Sequence, residues 1–117
     1  MQIRQLILRV ADLETSVEFW TGKVGLGLAG KGEGFAFLDG GGVQLVLNQV
    51  DEVPDDSSLT EIVFEEDDVR AVFDELSGRG VPFEVGLRPV TSDGNHELLA
   101  AHFRDPDGHL ASLTGWV

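Results

Sequence analysis

The pattern of apolar residues changes from strand-like to helical at Asp12. Residues Gln2–Val10 read QIRQLILRV, and their Ile, Leu and Val content predicts a β-strand. Asp12 suits the N-cap of a helix, because its side chain can accept a bond from a main-chain N–H of the first turn. The apolar residues that then recur at helical spacing are Leu13, Val17, Trp20 and Val24. Gly25 and Gly27 follow and are predicted to end this helix.

The rest of the first half predicts short strands separated by glycines. Strands are predicted at Gly34–Leu38 and Val43–Val50, and the pattern is compatible with a further one near Leu26–Ala29. The segments GKGEG and DGGGV are interpreted as hairpin turns, because neither follows a strand and opens a helix as a phosphate-binding loop does. The acidic segment DEVPDDSS, residues 51–58, contains a proline and is predicted to be a linker.

The second half starts in the same way. Residues 59–66, LTEIVFEE, predict a strand, and Asp67 and Asp68 form the cap region of a second helix. Gly78 and Gly80 are predicted to stop that helix. Its apolar stripe consists of Val69, Val72, Phe73 and Leu76.

Three extended segments follow this helix. Residues 81–90 contain two prolines and predict an edge or irregular strand. Residues 97–104 and 109–117 predict strands on either side of the DPDG segment. This segment resembles part of a calcium loop but lacks the alternating acidic spacing and the distal Glu, so we interpret it as a tight turn.

The two halves share their apolar positions when Asp12 is aligned with Asp68. The coinciding pairs are Leu8 with Phe64, Leu13 with Val69, Val17 with Phe73 and Trp20 with Leu76. This agreement predicts an internal duplication of a strand–helix–strands module. Coincidence is the open alternative, because any two strand–helix units share some pattern.

Composition narrows the possible partners. The chain has 117 residues, no cysteine and a formal net charge of −13, with a pI of about 4.3. An acidic surface repels nucleic acid and anionic membranes, so neither is an expected partner. The charge is compatible with a cationic ligand or simply with solubility. No signal peptide and no membrane-spanning run is recognised, so a cytoplasmic location is expected.

Three segments, LRVADLETSVEFW, IVFEEDDVRAVFDELSGRGV and FRDPDGHLASL, resemble the vicinal oxygen chelate superfamily. That superfamily includes glyoxalase I, extradiol dioxygenases, and fosfomycin and bleomycin resistance proteins. The resemblance implies an α+β fold in which two βαβββ modules form a curved sheet cup. It implies one domain over residues 1–117, with modules at approximately residues 1–50 and 58–117.

The resemblance also implies where metal ligands lie in the enzymes of this superfamily. The corresponding residues in this chain are Gln5, Gln44, Glu61 and Ser112. This set has one carboxylate and no imidazole, so neither a metal nor another cofactor is expected. If a metal were bound, Gln5 and Glu61 would be its ligands. His96 and His109 are interpreted as turn residues.

The sequence therefore predicts a metal-free binding protein of the bleomycin resistance type, without catalysis. It would sequester a cationic or planar small molecule in a cleft of a homodimer, the dimer being implied by the resemblance alone. Glu65 shares a strand face with Glu61 and would add a second carboxylate. The alternative is a metal-dependent lyase, isomerase or dioxygenase with atypical ligands. The expected ligand-binding residues are Gln5, Phe35, Gln44, Asn48, Glu61, Glu65, His102 and Ser112.

Overall fold

The computed structural model of the chain describes residues 1–53 and 60–117. It divides into two compact units, Met1–Asp56 and Ser57–Val117. Residues 54–58 of the predicted linker lie outside the described residues. Within the described ranges, no helix is long and apolar enough to cross a membrane. The assignment of residues 1–117 to one domain stays a prediction.

The first unit is a four-stranded mixed sheet with one helical segment. Its strands are ordered first, fourth, third, second; the first and fourth run parallel and the other neighbours antiparallel. The strands predicted in this half are confirmed, with ends that differ by a few residues. The elements are β1 (Gln5–Val10), α1 (Leu13–Val17), a π-helical segment (Glu18–Val24), β2 (Gly27–Gly32), β3 (Phe35–Asp39) and β4 (Gln44–Gln49).

The first helix begins at the predicted cap and changes its winding part-way. The Asp12 carboxylate accepts a hydrogen bond from the Thr15 N–H at 3.1 Å, and Gly25, with φ of 98°, ends the segment. Beyond Val17 the chain is π-helical, so the predicted 3.6-residue period is wrong there. The Thr21 hydroxyl donates to the Val17 carbonyl at 2.6 Å, and it competes there with the main-chain N–H that an α-helix would use.

The second unit repeats the architecture. Its strands follow the same order, with the first and fourth parallel and the other neighbours antiparallel. The elements are β5 (Glu61–Glu65), α2 (Val69–Gly78), β6 (Phe83–Ser92), β7 (Glu97–Arg104) and β8 (Leu110–Trp116). The predicted α+β fold of two βαβββ modules is therefore confirmed.

A glycine on β8 lets α2 lie close to the sheet. The Asp68 carboxylate caps α2 by accepting a bond from the Ala71 N–H at 3.2 Å. A Cβ placed on Gly115 would lie 2.5 Å from the Val69 Cβ, a distance that real side chains do not reach. β6 is an edge strand with several register shifts against β7, as the two prolines predicted.

Each sheet has one face turned away from its own helix, and we call these the helix-free faces. In β8, Gly115 faces α2, so alternation directs Ser112 and Thr114 to the other side. Cross-strand pairing extends the second helix-free face to β5 and β7. It carries Glu61, Val63, Glu65, His102, Ser112 and Thr114.

The first helix-free face follows from a contact between β4 and α1. The Gln49 side-chain oxygen accepts a bond from the Leu13 N–H at 2.7 Å, so Gln49 faces the helix. Gln44, Val46 and Asn48 therefore face the other way, together with their paired residues on β1 and β3. This face carries Gln5, Ile7, Arg9, Phe35, Phe37, Asp39, Gln44, Val46 and Asn48.

Candidate functional site

A carboxylate and an imidazole converge on the second helix-free face. The His102 Nε2 atom lies 3.7 Å from Oε2 of Glu61, with side chains that are 22% and 36% exposed. On the other side of the ring, the Arg88 Nη1 atom lies 3.3 Å from His102 Nδ1. These three residues lie in a row on β6, β7 and β5, and β8 with Ser112 lies between β7 and β5.

Ser112 lies directly opposite His102 in the β7–β8 ladder and next to Val63 of β5. The residue is 1% exposed, and among the described atoms its hydroxyl has no hydrogen-bond partner. Leaving a buried hydroxyl unsatisfied costs about 1–3 kcal/mol. A group that reached this oxygen and supplied the missing partner would recover that energy.

The predicted site residues of the first unit lie on the first helix-free face. The Gln5 side-chain N–H donates to the Gln44 side-chain oxygen at 2.7 Å, which ties β1 to β4. Phe35 pairs with Asn48 across β3 and β4, and its ring is partly exposed. This face therefore offers amides and an aromatic ring.

All eight predicted site residues lie on helix-free faces, four in each unit. The structure brings Gln5 together with Gln44, and Glu61 together with His102. It does not pair the two carboxylates: Glu65 is four residues beyond Glu61, a separation of about 13 Å along a strand. Sequence reasoning missed Arg88. Because β6 has register shifts, counting alternate residues along the strand does not tell which face the Arg88 side chain occupies.

A second polar group lies in the turn between β7 and β8. Donor atoms of Asp105, Asp107 and His109 lie within 4.8 Å of one another and could hold a metal ion. The Asp105 Oδ1 atom accepts bonds from the main-chain N–H groups of Asp107 and His109 at 3.0 and 2.7 Å. Its Oδ2 atom is 2.8 Å from His109 Nδ1. The hydrogen bond to Asp105 raises the pKa of His109, against the opposing effect of burial.

These bonds bear on whether an ion would bind in the turn. Both oxygens of Asp105 are already engaged, and its side chain is fully buried. A metal there would have to displace the imidazole from Oδ2 or release a main-chain donor. The predicted role of His109 as a turn residue agrees with its two bonds to Asp105.

Comparison with known proteins identifies the family. Residues 2–113 match the model of the Glyoxalase/Bleomycin resistance protein/Dioxygenase superfamily. The chain belongs to this superfamily. The resemblance of the three sequence segments is thereby confirmed.

The superfamily relatives include a named enzyme. The chain is 32% identical over 116 residues to metallothiol transferase FosB of Lysinibacillus sphaericus (strain C3-41), covering 92% of this chain and 77% of that protein. It is also similar to a superfamily protein from Nocardioides, with 27% identity, a TM-score of 0.77 and coverage of 100% and 84%. A protein of the same description from Alicyclobacillus acidocaldarius has a TM-score of 0.81 at 22% identity, covering 98% and 91%, and supports the fold.

These findings correct the functional prediction. The expected metal-free, non-catalytic binding protein is wrong, because the named relative is a metallothiol transferase and the Asp105, Asp107 and His109 group could hold a metal ion. The error came from testing only the four positions that the family resemblance supplied. His102 was not among those positions, although it lies opposite Ser112 and beside Glu61.

Proposed function

We propose that this protein is a metal-dependent enzyme that transfers a thiol to a small molecule. The transferase class comes from the relative FosB, and it replaces the lyase, isomerase or dioxygenase considered from sequence. The chain contains no cysteine, so the thiol is a separate substrate and not an enzyme nucleophile. The observation that carries the proposal is that the Glu61 carboxylate and the unpartnered buried hydroxyl of Ser112 lie on the same sheet face, where Val63 is the β5 residue paired with Ser112.

Among the described residues, the part of that face beside His102 offers a divalent ion one carboxylate, that of Glu61, and one buried neutral hydroxyl, that of Ser112. Glu61 would hold the ion through its carboxylate, and the Ser112 hydroxyl would contact the ion or a group bound to it. Oxygen donors of this kind suit Mg²⁺ or Mn²⁺ better than a softer metal. A bound ion would supply positive charge that polarises a substrate oxygen. Gln5 holds the corresponding first-strand position of the first unit.

Nucleophilic catalysis by Ser112 has no geometric support. The residue is buried, and the His102 ring that lies opposite it has its two nitrogens directed at Arg88 and Glu61. No ring nitrogen remains to accept the serine proton. The role proposed for Ser112 is therefore to contact a bound group.

Metal titration tests the proposal. Mn²⁺ binding, followed by electron paramagnetic resonance of the free ion, is expected for the wild type and should weaken at least about 100-fold in Glu61→Gln, which keeps the size of the side chain. Asp107→Asn is the matched control in the turn and should bind as the wild type does. Loss of binding in Asp107→Asn but not in Glu61→Gln would move the site to the turn. Absence of binding to the wild type at millimolar Mn²⁺ would overturn the proposal.

The reaction class has its own assay. Protein loaded with Mn²⁺ should consume a low-molecular-weight thiol in the presence of a suitable small electrophile, and Glu61→Gln should not. The predicted homodimer and cytoplasmic location stay predictions, and light scattering of the purified protein tests the first of them.

A further inference from the structure

The first sheet ends in an open edge at β1. Among the described strands, β1 pairs only with β4. The carbonyls of Arg4 and Val10 accept main-chain bonds from the β4 side at 2.9 Å. Because alternate residues of a strand direct their main-chain groups to opposite sides, the N–H and C=O groups of Gln5, Ile7 and Arg9 point away from β4. These groups are available to a further strand.

The second sheet has the same kind of edge at β5. This strand pairs only with β8 among the described strands. The Glu66 N–H donates to the Thr114 carbonyl at 2.9 Å, so Glu66 points toward β8. Alternation then directs the main-chain groups of Glu61, Val63 and Glu65 to the open side. An edge with such unpaired groups is a template for another strand.

Both open edges also carry exposed apolar side chains. On β1, Ile7 is 48% exposed and Leu6 is 43% exposed, whereas Leu8 is 7% exposed. On β5, Val63 is 60% exposed. Apolar side chains left exposed along an open edge indicate a surface at which another chain binds.

We propose that β1 of one copy of this chain pairs antiparallel with β5 of a second copy. In an antiparallel ladder, two residues that both point outward can lie directly opposite each other and exchange two hydrogen bonds. Their side chains lie on the same face of the ladder. The three opposed pairs are Ile7 with Val63, Arg9 with Glu61 and Gln5 with Glu65.

Charge favours this pairing over the pairing of either strand with itself. Arg9 is exposed and forms no ion pair with any residue of the described ranges. Two β5 strands centred on Val63 would place Glu61 opposite Glu65, and like charges directly opposite are destabilising. Two β1 strands would place Arg9 opposite Gln5, without an ion pair, and would leave the β5 edge open. Since each copy carries both edges, two copies can form the proposed contact twice.

A parallel arrangement does not bring the exposed apolar residues together. In a parallel pair, an outward-pointing residue lies opposite one whose main-chain groups point back into its own sheet. Ile7 would then lie opposite Ile62 or Phe64, and both of these are less exposed than Val63. The antiparallel register is therefore the one that covers the apolar residues of both edges.

The contact adds a residue of the second copy to the second helix-free face. The Oε2 atom of Glu61 faces His102, which leaves Oε1 for Arg9 of the partner subunit. The pairing itself needs no ion, so it is tested on protein prepared with a chelator. A failure to bind Mn²⁺ would therefore remove the proposed function and leave the pairing standing.

Disulfide cross-linking tests which strands meet, and the chain has no cysteine of its own to interfere. Opposed residues of this kind have Cα atoms about 5.5 Å apart, within the range that a disulfide spans. Ile7→Cys and Val63→Cys chains, co-expressed with different tags and oxidised, should form a disulfide-linked pair that contains one chain of each. Neither variant should cross-link with itself.

Val85→Cys is the matched control for chance collisions. Val85 is also exposed, but it lies on β6 at the opposite edge of the second sheet. Ile7→Cys co-expressed with Val85→Cys should give no linked pair. An equal yield with Val85→Cys and with Val63→Cys would overturn the proposal, as would cross-linking of Ile7→Cys only with itself or no cross-linking at all.

Charge reversal tests the register. Arg9→Glu places a carboxylate opposite Glu61 in both contacts, so sedimentation should show a dimer dissociation constant at least about tenfold higher than that of the wild type. Adding Glu61→Arg to this variant should restore the dimer. Arg70→Glu makes the same charge change on α2 and should dimerise as the wild type does. A wild type that is monomeric at millimolar concentration, or restoration by Glu65→Arg and not by Glu61→Arg, would overturn the proposal.

Discussion

Replacing Asp105 by alanine removes the centre of the turn that joins β7 to β8. Its carboxylate accepts bonds from the main-chain N–H groups of Asp107 and His109, at 3.0 and 2.7 Å, and lies 2.8 Å from His109 Nδ1. The side chain of Asp105 is 0% exposed. Because this turn sets the register of the two strands, it also determines that His102 lies opposite Ser112.

The expected loss follows from the number of bonds and their burial. A hydrogen bond to a charged group contributes about 1.5–3 kcal/mol, and Asp105→Ala removes two such bonds to main-chain donors. Water can recover part of the loss at Asp107, which is only partly buried. The imidazole of His109 can become neutral once its partner is gone. We therefore expect the free energy of unfolding to fall by about 2–4 kcal/mol.

A second turn provides a matched control. Asp93 accepts bonds from the main-chain N–H groups of Asn95 and His96 at 2.9 and 2.7 Å, so it also holds two main-chain donors at similar distances. Its side chain is 53% exposed, and its distance to the imidazole of His96 is 3.7 Å. Solvent can replace these bonds, so Asp93→Ala should destabilise the protein much less than Asp105→Ala.

Urea unfolding followed by circular dichroism measures both variants. With an m-value of about 1.5–2 kcal/mol/M, the loss in Asp105→Ala corresponds to a midpoint lower by roughly 1–2.7 M. The midpoint of Asp93→Ala should lie close to that of the wild type. Similar midpoints for the two variants would show that burial of the Asp105 carboxylate does not contribute as argued.

Two further predictions concern packing and pH. Gly115→Ala should lower the free energy of unfolding by about 1–3 kcal/mol, because the added methyl would lie 2.5 Å from the Val69 Cβ. Gly86→Ala is the control: its added methyl would have its nearest contact at 3.9 Å, so it should match the wild type in the same urea assay. The raised pKa of His109 stabilises the folded protein below the ordinary value of 6.5, and this contribution is lost as pH rises through the folded-state pKa. As the pH rises from 5.5 to 8.5, the urea midpoint of the wild type should therefore fall by more than the midpoint of Asp105→Asn. If the two midpoints changed equally with pH, this reasoning would be contradicted.

Local signals in the sequence were enough for most of the fold. Asp12 and Asp68 were placed correctly as helix caps, because an aspartate before an apolar helical stripe has a specific hydrogen-bonding role. Gly25 and Gly80 follow the helical segments with positive φ, as helix-terminating glycines do. The alternation of the strands then followed from their bounds. In the structure all eight candidate residues lie on the helix-free faces, whereas their role in binding stays a prediction.

Features that depend on the winding of a helix or on the register of paired strands could not be predicted from the sequence. The π-helical winding after Val17 buries Phe19 and Trp20, and the helical period predicted only Trp20 of these two. β6 contains shifts of register between Val85 and Arg88, and each shift changes which face a side chain occupies. Arg88 could therefore be recognised as a site residue only from the observed pairing of β6 with β7.

The wrong functional prediction has a related cause. Metal binding was judged at Gln5, Gln44, Glu61 and Ser112, one position at a time. A strand ladder, however, places residues of neighbouring strands within about 5 Å of each other, so the chemistry of a site belongs to the cross-strand neighbourhood and not to a single position. Ser112 is a poor ligand by itself, but the small side chain lies opposite an imidazole, and that imidazole faces Glu61. The prediction of a metal-free protein also left out the Asp105, Asp107 and His109 group of the β7–β8 turn, which lies outside those four positions and could hold a metal ion.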